Sequence, residues 1–219
     1  MEIRRHQVTF ERLDDATWSA WRQLATAVIG DSMGRAGCMC AAIKSLSPGV
    51  KLAGHARTVT TMVGDNSTIH AALEFLQSGD VLVIDAGGSC EVAIWGAVIT
   101  EAAVMRGVAG VVIDGAARDV DELRRRGFPV FLRGVTPRGP HKGHGGVIDG
   151  PVAAGGVAVS PGDVIVGDDD GVVVVPLAVQ GNILAKALDR LDTERRWLES
   201  IRAGKTTREI LGIPPATLV

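Results

Sequence analysis

Tyrosine is absent from this sequence, and all aromatic residues together make up only 4% of it. A surface that binds single-stranded nucleic acid stacks bases on rings, so no such surface is expected here. An excess of charge of one sign is also missing, with a formal net charge of -2 over 219 residues. No broad field draws in a polyanion, and the basic runs Arg124–Arg126 and Arg195–Arg196 fall among acids in helical patterns, as solvated faces do. Nucleic acid is therefore not expected as a direct partner. Cysteines number three, too few for a closed disulfide set, and Cys38 and Cys40 lack CxxC spacing. Reduced thiols and a cytoplasmic location are the expectation. No run approaches ~18 uninterrupted apolar residues, so no membrane span is expected. The opening MEIRRHQVTFERLDD lacks the apolar core of a signal peptide.

What the chain does contain is glycine, 28 of them, in a composition that is 46% hydrophobic. Val, Ala, Ile and Leu turned by glycine suit tightly packed α/β layers. The length and the lack of a linker-like stretch predict a single domain, residues 1–219. Residues 11–27 place Leu13, Trp18, Trp21, Leu24 and Ala25 at helical spacing, with Asp14 or Asp15 as cap. A second short helix is expected from Ser32, which makes a helical N-terminal segment of about 11–37. Residues 52–63 alternate like a strand with a glycine break. GDNSTIHAALEFLQ reads as a loop opening a helix, with Asn66 or Ser67 as N-cap.

VLVIDAGGSC (81–90) and GVVIDGAARD (110–119) echo each other. Each is a continuous apolar run ending in Asp and Gly, as expected of strands covered on both faces. Helices are predicted over about Trp95 to Arg106 and Val120 to Arg126, with a strand at PVFLRGV. TPRGPHKGHGG (136–146) is expected to be an exposed loop. Short β segments follow, and Asp170-Gly171 marks a hairpin, which makes Asp168–Asp170 structural rather than a metal cluster. One long amphipathic helix is expected from Leu177 to about Ala203, so that the C-terminal helix and arm span 177–219.

Arg118 and Asp119 follow a strand at the start of a helix, where ligands of open α/β sheets gather. A carboxylate there suits a hard divalent cation, and an adjacent guanidinium offers a forked donor for a substrate carboxylate. A helix cap with a surface ion pair would use the same two residues. His141 and His144 lack a third zinc ligand. His70, beside Ala71 and Ala72, reads as a buried histidine with its hydrogen bonds made.

The chain resembles the RraA-like family, which includes 4-hydroxy-4-methyl-2-oxoglutarate and 4-carboxy-4-hydroxy-2-oxoadipate aldolases. The marks are GDNSTIHAALEFLQSGDVLVID, CE followed by WG, RGVAGVVIDGAARDVDEL, and SPGDVIVGDDDGVVVVP. The resemblance implies an α/β fold, a single β/β/α, swivelling-domain-like domain with a long C-terminal helix. It implies a homotrimer or homohexamer and a metal-dependent lyase that releases pyruvate from small 2-oxo acids or decarboxylates oxaloacetate. In that light Asp119 matches the ligand of a Mg²⁺ or Mn²⁺ ion, and Arg118 the residue that binds the 2-oxo acid. Gly96, Ala97, Val98 and Ile99 match the turn whose N–H groups hold the substrate carboxylate, and Asn66 is a candidate pocket residue. Glu194 on the long helix matches a glutamate that reaches a neighbouring subunit.

The family's acid twenty-one residues before the arginine is replaced here by Ala97. A missing general base costs about 10²–10⁴-fold in rate. Glu91 and Glu101 are the candidates to stand in for it, and the substitution favours decarboxylation, which needs no hydroxyl deprotonated. The resemblance also implies an alternative, a non-catalytic RraA-type regulator that binds a ribonuclease. A methyltransferase is not expected, because no sulfonium-cofactor loop is present.

Overall fold

The computed structural model describes residues 2–218. It opens with β1 (Ile3–Arg5), α1 (Asp15–Gln23), α2 (Thr26–Ser32), β2 (Lys44–Ser45) and the long β3 (Leu52–Thr61). Then come α3 (Ser67–Ala72), β4 (Asp80–Asp85), β5 (Ala93–Trp95), α4 (Ala97–Met105), β6 (Gly110–Ala117), α5 (Val120–Arg126) and β7 (Val130–Val135). The chain continues through β8 (Gly146–Ile148), β9 (Val152–Ala154), β10 (Val157–Val159), β11 (Val164–Asp168) and β12 (Gly171–Val175). It ends in α6 (Gln180–Arg202) and α7 (Thr207–Ile210).

β3, β4, β6 and β7 lie side by side, each parallel to the next. β11 adds to β3 antiparallel and carries β12. The apolar runs are buried on both faces because alternate residues belong to different cores. Leu82, Ile84, Val111, Ile113, Val130 and Leu132 face a core shared with α3, α4 and α5. Their neighbours Val81, Val83, Val112 and Phe131 face the β9–β10 side, with Val152, Ala154 and Val159. Val164, Val166, Val173 and Val175 meet Trp18, Trp21, Ile29 and Ile183 from α1, α2 and α6. The sheet is thus covered by helices on one face and by a small hairpin on the other, the expected α/β fold with its long C-terminal helix.

Two local expectations change. The first helix is not continuous to residue 27: it stops at Gln23, Leu24 and Ala25 are extended, and α2 already ends at Ser32. The cause is distant in sequence. Asp168, on β11, accepts from the Thr26 amide at 2.9 Å and its hydroxyl at 2.6 Å, so it caps a new helix there. The glycine break expected in β3 is absent. Gly54 stays in the strand because a Cβ there would sit 2.3 Å from the Gly79 carbonyl. Asp169 accepts from the Gly49 amide at 2.9 Å, so the acidic hairpin is structural, as expected.

Candidate active site

The C-terminal ends of β5 and β6 build one wall of a cavity of about 160 Å³. The register of β6 against β7 shifts between Ile113 and Ala116, an irregularity of the kind that re-aims residues beside a site. β6 then delivers Arg118 and Asp119, each with a little over two-fifths of its side chain exposed. Asp119 has φ of +61°, left-handed backbone that a non-glycine residue adopts at a cost. It occupies the N-cap position of α5, yet its side chain makes no capping bond there. Instead Oδ2 reaches back to the Ala97 amide at 2.9 Å and lies 3.8 Å from Arg118 Nε. The carboxylate thus caps α4 rather than α5, and the surface ion pair with Arg118 is present.

Gly96 lets this happen. Its φ of -174° is ordinary extended backbone, but a Cβ there would meet Asp119 Oδ2 at 2.6 Å. The turn is held by Thr100, whose hydroxyl donates to the Gly96 carbonyl at 3.0 Å and accepts from the Trp95 indole at 2.7 Å. The first-turn amides of α4 have no intrahelical acceptor, and only that of Ala97 is taken by Asp119. Those of Val98 and Ile99 belong to residues that line the cavity.

α3 and the 136–146 loop supply the rest. Asn66 is buried and donates to the Ile94 carbonyl at 3.2 Å, while its Oδ1 is buried with no partner among the described residues. Asn66 holds the N-cap position of α3, as expected, but its side chain makes no capping bond; Asp65 supplies one instead, accepting from the Ser67 amide at 2.8 Å. Asp65 is fully buried and also accepts from the Gly143 and His144 amides at 2.7 and 3.0 Å. Burial alone would raise its carboxyl, but the bonds from Ser67, Gly143 and His144 outweigh that and hold it well below the usual carboxylate range. This anchor pulls the exposed Gly-Pro-His loop onto the cavity, where Pro140 and Lys142 join its lining. Gly139 lies so close to Arg118 that a Cβ would sit 2.5 Å from Nη1.

The structure therefore brings together Asn66, Gly96, Val98, Ile99, Arg118 and Asp119, with Ala97 bonded to the Asp119 carboxylate. It does not bring in the two candidate acids. Glu101 points to α5, paired with Arg126 at 3.0 and 3.3 Å, outside the cavity. Glu91 is exposed in the turn before β5 and does not line the cavity either. Glu194 accepts from Arg190 at 2.9 Å on its own helix. Two lining residues, His70 and Lys142, were not read as site residues from the sequence. The only hint was the density of His, Lys and Gly in 136–146. His70 is half-buried and makes no side-chain hydrogen bond among the described residues, contrary to the expectation of a satisfied histidine. Among the described residues no three His, Cys, Asp or Glu side chains converge, so no multi-ligand zinc-type site is built. A larger cavity of about 370 Å³ near Arg22 and Lys51 has no acid in its lining.

The RraA-like family, described as Aldolase/RraA, matches residues 26–174. The chain belongs to this family. It is 40% identical over 76% of its length to a protein of Halalkalibacterium halodurans provisionally named 4-hydroxy-4-methyl-2-oxoglutarate aldolase, 80% of which is covered. It is 35% identical over 61% of its length to the 4-hydroxy-4-methyl-2-oxoglutarate aldolase of Thermus thermophilus, again covering 80% of that protein. Its fold superposes with a TM-score of 0.77 and 32% identity on Streptomyces coelicolor RraAS2, described as an unusual member of the RNase ES inhibitor RraA family. That likeness covers 88% of this chain and 99% of RraAS2. Relatives named as aldolases support a lyase role. No helix among the described residues is long and apolar enough to cross a membrane.

Proposed function

We propose that this RraA-like chain is a lyase for small 2-oxo acids that works with a divalent cation, Mg²⁺ or Mn²⁺, at Asp119. The observation that carries the reading is the Asp119 carboxylate, held in left-handed backbone beside Arg118 at the N-terminus of α4. Its Oδ1 has no protein partner among the described hydrogen bonds. One carboxylate with open positions fits a Mg²⁺-type ion that keeps its remaining ligands as water and substrate oxygen. When bound, the cation supplies an electrophile at the substrate's keto oxygen.

The chain's own residues do the remainder. The Val98 and Ile99 amides, at the positive end of α4, receive the substrate carboxylate. Arg118 stabilises the negative charge that develops as the enolate of pyruvate forms. Cleavage of the C3–C4 bond of a 4-hydroxy-2-oxo acid and loss of CO₂ from oxaloacetate lead to that same enolate. Decarboxylation requires no hydroxyl proton to be removed, which agrees with Ala97 and with the distance of Glu91 and Glu101 from the cavity. We also infer a homotrimer or homohexamer, in line with the exposed Leu198, Leu211 and Ile213 of the C-terminal helices and arm.

Pyruvate release from oxaloacetate, followed with Mg²⁺ and with EDTA, tests the reading. Activity should need the cation, vanish in Asp119→Ala and fall strongly in Arg118→Ala. Wild-type turnover in Asp119→Ala would overturn the assignment. A non-catalytic regulator is the second reading, favoured by Ala97, by the likeness to RraAS2 and by Val98, 81% exposed at the cavity mouth. A protein with no lyase activity under saturating Mg²⁺ or Mn²⁺ would bear it out.

A further inference from the structure

We infer that His70 is the proton-transfer group of this cavity, taking the place of the acid that Ala97 lacks; the inference rests on the lyase reading above.

The argument starts from what lines the cavity. Its ionisable side chains are His70, Arg118, Asp119 and Lys142. Arg118 and Lys142 carry hydrogen-bond donors and no acceptor. Asp119 is committed to the Ala97 amide and to the cation site. Glu101 is paired with Arg126, and Glu91 lies outside. His70 remains, and its ring makes no hydrogen bond among the described residues although it is half-buried. A half-buried imidazole with unused nitrogens, lining a cavity, is placed to exchange protons with what fills the cavity.

The surroundings favour the neutral ring. Burial, and then the Lys142 ammonium, lower the His70 pKa from its ordinary value. Lys142 on the loop, and Arg118 and Asp119 at the end of β6, are the charged groups that share the cavity with it. Asp65 and His144, at the start of α3 and on the loop, are tied to one another and to backbone. The neutral ring is the form that accepts a proton.

The step balances with no co-reactant but solvent. Neutral His70 accepts the proton of the substrate's 4-hydroxyl. The oxygen electron pair forms the new C=O, the C3–C4 bond breaks, and its electron pair becomes the enolate that Arg118 stabilises. Solvent protonates the enolate at C3, as it does after loss of CO₂, and the imidazolium returns its proton to solvent, which leaves pyruvate and the second carbonyl product.

The test compares two reactions of the full chain with Mg²⁺: cleavage of 4-hydroxy-4-methyl-2-oxoglutarate and decarboxylation of oxaloacetate. His70→Gln should lower kcat for cleavage about 100-fold or more. KM and the decarboxylation rate should stay within about threefold, because decarboxylation has no hydroxyl to deprotonate. The acid limb of the cleavage pH profile should disappear with the imidazole. His70→Asn, with an unchanged melting temperature, should give the same split. An equal fall in both reactions, or unchanged cleavage, overturns the role of His70. Wild type that decarboxylates but does not cleave also overturns it and leaves the lyase reading standing. Wild type that does neither removes both.

Discussion

Gly96→Ala is a substitution that alters no charge and no catalytic group, yet it should cripple the site. The backbone there is extended, so alanine adopts it without strain. The added Cβ would lie 2.6 Å from Asp119 Oδ2 and 3.2 Å from Arg118 Cγ. Carbon and oxygen settle at roughly 3.5 Å, so the carboxylate must retreat by about 1 Å. That retreat breaks the 2.9 Å bond from the Ala97 amide, a loss of about 1 kcal/mol. Because the Asp119 side chain is 41% exposed, water takes over the bond, and the melting temperature should fall by no more than about 4 °C. Catalysis depends on position more steeply, and a 1 Å misplacement costs about 100-fold. Initial rates of pyruvate release with Mg²⁺, measured beside a thermal melt, separate the two effects. Full activity in a stably folded Gly96→Ala protein would refute the claim that Asp119 acts from the place it occupies.

Three other perturbations should give distinct outcomes. Asp65→Ala leaves the Ser67, Gly143 and His144 amides without their shared acceptor, so stability should drop by about 3 kcal/mol in urea titration. Limited proteolysis should then cut within 138–146, and protection equal to wild type would contradict the anchoring role. Arg57→Ala removes the guanidinium that bonds Asp149 at 2.7 and 2.6 Å and lies 3.4 Å from Asp80, among three buried side chains. A loss of about 3–5 kcal/mol is expected, and a loss below 1 kcal/mol would show that Arg5 and Arg12 suffice for the two carboxylates. His55 is buried, with Nδ1 donating to the Gly162 carbonyl at 2.8 Å and Nε2 accepting from the Leu13 amide at 3.0 Å. Burial lowers its pKa, so the folded chain binds a proton less readily than the unfolded chain, and stability falls as pH drops below about 6.5. The slope should reach at most about 1.4 kcal/mol per pH unit from this group. A His55→Leu protein with the same pH slope as wild type would rule this out.

Much of the fold is legible in the chain as written, because burial leaves a local pattern. Val81 to Ile84 and Val111 to Ile113 are apolar without interruption since alternate residues enter two cores, and such runs read as strands covered on both faces. The bounds of α5 follow from the same local logic, with acids in its first turn, arginines in its last and Gly127 in left-handed backbone behind it. The same pattern puts Arg118 and Asp119 at a strand end.

Partners far apart in sequence decided the rest. Asp168 starts α2 from 142 residues away, and Asp65 fastens Gly143 and His144 from 78 and 79 residues away. Glu101 has the spacing of a site acid but meets Arg126 across the α4–α5 contact, and Asp119 turns from its own helix to the Ala97 amide. His70 and Lys142 enter one cavity only because that loop is tied down. Periodicity records which face of an element is buried. Which polar group answers another depends on where the packed layers bring their ends together, and that is a property of the folded chain alone.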